Sequence, residues 1–208
     1  MDGRLLQLAD SAFPTGSFAH SLGLEALSQL GLVRGAEALA ARLAELVWNA
    51  ATGALPFLNA AYMADWTAAD QACEVFLSSQ VANRASRAQG RAFLMAAEAM
   101  LSVEVGVARH AHVAPAMGAV LARMGVALDD ARHLLLFGSV RAALSAAVRL
   151  GVVGPLHAQG LLYRLHPLLA DALAATAGWG TDDAVVVSPL VELAQSAQDR
   201  LYSRLFQS

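Results

Sequence analysis

The chain has 208 residues, enough for one sizeable domain, and its formal net charge of −3 supplies no global basic field of the kind that drives nucleic-acid binding. Hydrophobic residues make up 57% of it and charged residues only 15%, an apolar excess over an ordinary soluble domain that asks for a membrane or a protein partner. All 14 basic side chains, histidine apart, are arginine, which excludes a P-loop lysine, a Schiff-base lysine and a lysine general base.

In chain order, MDGRLLQLAD lacks the basic region, apolar stretch and small-residue cleavage site of a secretory leader, and its apolar spacing predicts a first helix over 4–10. Over residues 5–27 the apolar run breaks at Pro14-Thr15-Gly16. Pro14 fixes its own φ and biases Phe13 toward extended geometry, while Gly16 suits a tight reversal, so the chain must turn sharply there. A helix over 19–31 is predicted next, with Leu22, Ala26, Gln29 and Leu30 on one face and His20, Ser21 and Glu25 together on another. Helices over 36–51, 56–65 and 68–79 follow, the last with Thr67 and Asp70 spaced as a capping-box-like pair. Its Cys73 is the only cysteine; it forms no internal disulfide, fits a reducing compartment and reads as a packing residue.

The helix over 81–101 carries Arg84, Arg87 and Arg91, spaced by three and four so that the guanidinium groups share one face. No acidic residue of that helix lies three or four positions from Arg84 or Arg87, so these charges must find solvent, a tertiary partner or another protein. Gly90 lies within the same stretch and suits a close helix crossing. His110 and His112 are the only close histidine pair. In an extended segment both rings face the same way, but two neutral ligands without a nearby cysteine or carboxylate do not make a tight metal site, and capping or packing is the favoured role of His112. No GxSxG or HExxH stands anywhere in the chain.

Helices are predicted over 115–124 and 129–150, the second capped by Asp129 or Asp130. The longest apolar tract, 134–153, holds Arg141 and Arg149, which argues against a membrane span. Pro155 suits the first turn of a helix over 156–176. Residues 178–183 read as a mobile loop and 185–187 as the one short strand candidate. An amphipathic helix over 189–205, opened by Pro189, closes the pattern. The whole reads as an all-α, single-domain helical bundle of roughly ten helices spanning 1–208, with excess apolar surface that needs a subunit partner.

The segment PTGSFAHSLGLEA resembles the N-terminal signature of the UreF family of urease accessory proteins, particularly its plant-like branch. NRASRAQGRAFL at 83–94, HVAPAMGAVLARMGV at 112–126, RLGVVGPL at 149–156 and the closing YSRLFQS resemble the family's later blocks in the right order. Gln198-Asp199 stands where the family commonly has His-Glu, and Gln207 where it commonly has Arg. The resemblance implies an all-helical, dimeric, cytoplasmic subunit of a nickel-chaperone complex. Its partners would be a UreD/UreH-type accessory protein, the GTPase UreG and apo-urease, with no cofactor, nucleic acid or membrane. It also implies partner contacts through Phe18, His20, Ser21, Glu25, Arg84, Arg87, Arg91, Arg204, Leu205 and Phe206, with residues 204–206 docking near the elbow. A helical adaptor unrelated to urease and a small hydrolase built on the His110/His112 region are the alternatives.

Overall fold

The computed structural model describes residues 3–208; the first two positions of the segment read above for a leader lie outside them. Ten α-helices are found among the described residues: α1 (Gly3–Ala9), α2 (Leu24–Gln29), α3 (Gly35–Gly53), α4 (Leu55–Met63), α5 (Trp66–Phe76), α6 (Gln80–Leu101), α7 (Val113–Arg123), α8 (Leu128–Arg149), α9 (Pro155–Ala175) and α10 (Pro189–Ala197). No strand occurs among those residues, and none of the helices is long and apolar enough to cross a membrane.

The centre of the bundle is α4, which buries Leu55, Pro56, Phe57, Leu58, Asn59 and Ala61 and so has no polar face to offer water. Around it, α3 turns Leu39, Leu43, Leu46, Val47 and Ala51 inward at helical spacing, packing on α4, α8 and α9. The helix packed most extensively on α4 is α7, and their crossing is set by Gly118: a β-carbon there would stand 2.4 Å from the Leu58 carbonyl oxygen. Buried Asn59 reaches the end of α9, donating from Nδ2 to the carbonyls of Thr176 (3.4 Å) and Trp179 (2.9 Å). These bonds pin the turn that follows α9, whose Thr176 carbonyl also accepts from the Trp179 N–H at 3.3 Å.

Pro155 and Pro189 occupy first turns, as the sequence suggests. Five local expectations are corrected, the strand candidate at 185–187 last among them. The helix after the elbow begins only at Leu24, because Leu22 (φ 55°) and Gly23 (φ 85°) both take positive φ, which no helix interior tolerates. α10 stops at Ala197, and after a 3-10 turn at Gln198–Arg200 residues 201–208 run without helix back across the molecule. At α5 the cap is Asp65, whose Oδ1 accepts from the Thr67 N–H at 2.9 Å, while Asp70 points elsewhere. At α8 neither Asp129 nor Asp130 caps; both lie in the first turn, favourable near the positive end of the helix dipole. Residues 185–187 form a strap tied to α3, with the Val185 N–H on the Thr52 carbonyl (3.1 Å) and the Val187 N–H on Asn49 Oδ1 (3.1 Å).

Candidate functional site

Two constellations gather the residues singled out by sequence, and Asp199, just past the C-terminal end of α10, stands between them. At the first, the elbow reverses through Gly16 (φ 70°) and a 3-10 turn at Ser17–Ala19. The positive φ values at Leu22 and Gly23 then turn His20, Ser21 and Glu25 inward, all three buried, while Phe18 remains 64% exposed. Tail residues 201–208 lie against this surface by main-chain hydrogen bonds. The Gln207 N–H donates to the Ala19 carbonyl at 2.8 Å and the Ser21 N–H to the Ser208 carbonyl, while Gln29 Nε2 donates to the Ser203 carbonyl at 2.8 Å. His20 Nδ1 and Ser208 Oγ are 2.6 Å apart, and burial holds the imidazole below its ordinary pKa.

Glu25 is the centre of this contact. Its carboxylate accepts from the Leu205 N–H (2.6 Å), the Phe206 N–H (3.1 Å) and Gln198 Nε2 (2.5 Å). Three donors satisfy a buried carboxylate without a cation beside it. Gln198 Nε2 also reaches the Phe206 carbonyl at 3.2 Å, so one fully buried amide joins α10 to both sides of the latch. The Arg149 guanidinium lies between the Phe18 and Phe206 rings, 3.8 and 4.3 Å from their centroids, and donates to the Phe18 carbonyl at 2.6 Å. The structure thus brings together Phe18, His20, Ser21, Glu25, Leu205 and Phe206. Arg204 is turned aside and reaches Asp199 Oδ1 through one nitrogen at 3.1 Å.

The second constellation spans α5, α6 and the segment 102–112. Asp70 accepts the N–H groups of His110 (2.9 Å), Ala111 (3.1 Å) and His112 (2.7 Å), holding Ala111 at φ 61°. This turn presses directly on α6, where a β-carbon at Gly90 would lie 1.9 Å from the Ala111 carbonyl oxygen. His112 is wholly buried, with Nε2 2.9 Å from Glu74 Oε2 and Nδ1 3.1 Å from Ser86 Oγ. Glu74, held below the ordinary carboxylate range first by the hydrogen bond from Asn83 Nδ2 (2.9 Å), only accepts. Nε2 of a neutral His112 therefore carries the proton, and the Ser86 hydroxyl donates to Nδ1. Burial depresses the His112 pKa and favours that neutral form. His110 Nδ1 stands 3.4 Å from the same Glu74 oxygen, and among the described residues no group of three or more His, Cys, Asp or Glu is arranged to hold a metal ion.

On the outer face of α6, Arg84 Nη2 meets both oxygens of Asp199 at 2.9 Å. Arg87 Nη1 is 4.0 Å from Glu74 Oε1, beyond hydrogen-bonding reach, and Arg91 is exposed without an ion pair to any described residue. Asp199 thus stands between Arg84 and Arg204 and links the two constellations. Asp199, Gln198 and Arg149 are among the site residues that sequence reading missed, as are Glu74 and Ser86 beside His112. The available signals were the Gln198-Asp199 departure from the family pattern and the place of Arg149 in a family-like block.

A sequence model described as UreF matches residues 33–166. The chain is 34% identical over 215 residues to urease accessory protein F of Arabidopsis thaliana, covering 96% of this chain and 90% of the relative. It is 32% identical over 219 residues to urease accessory protein F of Oryza sativa subsp. indica, covering 96% and 82%. To urease accessory protein UreF of Paenarthrobacter aurescens strain TC1 it is 31% identical over 219 residues, covering 98% and 96%.

Proposed function

This chain belongs to the UreF family of urease accessory proteins, and we propose that it acts in the cytosol as a non-enzymatic scaffold for urease maturation. In this reading it holds a UreD/UreH-type accessory protein and the GTPase UreG in the geometry through which a GTP-dependent change inserts nickel into apo-urease. GTP belongs to UreG, and nickel is cargo in transit. Coupling of this sort requires contacts that differ between partner states rather than chemistry within the scaffold.

The observation that carries the reading is the latched tail. Glu25 and Gln198 fix the main chain of residues 205–206, so that the apolar surface of Phe18 and Leu205 is presented on a rigid support. Preorganised apolar anchors beside an arginine fit a protein interface better than a small-molecule cleft. His20, Ser21, Glu25 and Phe206 support this face from beneath. Phe18, Arg204 and Leu205 touch the partner, and Arg84, Arg87 and Arg91 extend the contact along α6.

A second face favours a homodimer. Along α9, Leu156, Gly160, Tyr163, Pro167 and Ala170 follow spacings of four, three, four and three, with Leu156 88% and Tyr163 78% exposed. That spacing is a heptad seam, the pattern with which a helix packs against another helix. A closed two-fold pairing of the seam with its own copy covers it without leaving an open end.

Removing residues 201–208 tests the scaffold reading. These residues hold no helix, so circular dichroism should change little. Capture of the UreD/UreH-type protein should fall by about fivefold or more, since losing an interface anchor costs about 1–4 kcal/mol. Unchanged capture by a correctly folded truncated chain sinks the proposal.

A further inference from the structure

The arginine face of α6 stands out in a chain of net charge −3. Arg84, Arg87 and Arg91 cover about 10 Å of helix, two turns at the helical rise. They border a surface depression of ≈ 520 Å³ that also includes Gln80 and Asn83. Arginines this close repel one another unless something acidic lies on them, and the fold supplies only part of it. At one end, Asp199 lies on Arg84 through both of its oxygens. In the middle, Glu74 is shared by Asn83, His110 and His112 and leaves Arg87 4.0 Å away. At the other end Arg91 has no described partner, and Met95, one turn further, is exposed. The face therefore already binds carboxylate, one guanidinium nitrogen of Arg84 meeting both oxygens of Asp199, and its unused capacity rises toward Arg91.

We propose that this face binds an acidic helical segment of a partner protein, with carboxylates spaced i, i+3 or i+4, and i+7 to meet the three arginines and an apolar side chain one turn on to cover Met95. The inference rests on the scaffold reading of this chain and names the chemistry of one contact within it. The segment competes with Asp199 for Arg84. Because Asp199 also holds Arg204 and adjoins Gln198, which carries Glu25 and the Phe206 carbonyl, occupancy of α6 is transmitted to the tail.

The test uses the full-length chain and a labelled alanine-rich helical peptide carrying Glu at i, i+3 and i+7 and Leu at i+11. A scrambled peptide of equal charge and inorganic pyrophosphate serve as competitors, and fluorescence anisotropy is the readout. The patterned peptide should bind and outcompete both. Arg87→Gln and Arg91→Gln, both on the surface, should each weaken binding by about two- to fivefold, the range of exposed ion pairs. Asp199→Asn should tighten it by about twofold or more because Arg84 is freed. That gain is a result a merely structural role for Asp199 would not give. No binding, equal affinity for the scrambled peptide, stronger competition by pyrophosphate, or unchanged affinity in Asp199→Asn overturns the proposal. Because the peptide is measured on the isolated chain, this outcome is independent of partner capture through residues 201–208, and either reading can fail alone.

Discussion

Single positions in this protein are constrained by backbone contacts that a sequence only hints at. Gly90 suggests a close helix crossing, but what approaches it is the carbonyl of Ala111 in a non-helical turn, so no periodicity predicts the contact. Gly90→Ala drives a β-carbon into that oxygen and should lower stability by about 3 kcal/mol, read by urea denaturation. His112 was legible as a packing or capping group; its partners were not, because Glu74 and Ser86 arrive from two other helices. Its burial has a pH consequence. The folded-state pKa lies below the unfolded value near 6.5, as does that of His20, so below about pH 6.5 the unfolded chain takes up protons that the native chain refuses. Stability is therefore full above that pH and is lost as the pH falls toward the depressed native values, and Glu74 adds a loss in the same direction below about pH 4.5. Denaturation midpoints should fall between pH 7.5 and 5.5, and His112→Gln should flatten the fall. A pH-independent midpoint in the unmutated protein contradicts this account of the histidines.

Elements were far more legible than their ends. Helices α3, α8 and α9 each run five turns or more and bury residues at three-four spacing along most of that length, and that repetition fixes their existence from sequence. The two misjudged helices both belong to the candidate site. Leu201 and Leu205 continue the apolar period of α10, yet the chain leaves the helix at Ala197, because Glu25 offers the N–H groups of residues 205 and 206 a better acceptor than another helical turn. Tertiary hydrogen bonding of that kind overrides a local pattern and leaves no trace in it. The same dependence makes the tail separable from the bundle. Glu25→Gln replaces one of three accepting contacts with an N–H-bearing face, which should weaken the latch by about 1–3 kcal/mol. Hydrogen exchange should then speed up at the amides of Leu205 and Phe206 while α3 and α8 keep their protection. A uniform rise in exchange would show instead that the latch and the bundle unfold as one unit.

At the scale of the whole molecule, 57% hydrophobic residues must be accommodated, and the fold does so unevenly. The interior packs around α4, but Leu156, Tyr163 and Pro167 stay on the surface of α9. Pro167 lies inside that helix and has no N–H for the Tyr163 carbonyl. The exposed side of α9 thus combines an apolar stripe with a carbonyl that lacks its helical donor. Gly160 lies within the stripe with only the Arg164 guanidinium near its missing side chain, at 3.7 Å, so a facing helix can approach there. If two copies pair through this seam, Tyr163→Glu and Gly160→Glu each bury a carboxylate at the contact without touching the core of the single chain. Both variants should sediment as monomers at concentrations where the unmutated protein is a dimer, and both should keep its helical circular dichroism. α9 packs on α3 and α8, and the α6 face should continue to bind the acidic helical peptide in the monomeric variants. Dimers that persist in both variants would move the self-association surface off α9 and leave the apolar stripe to a different protein.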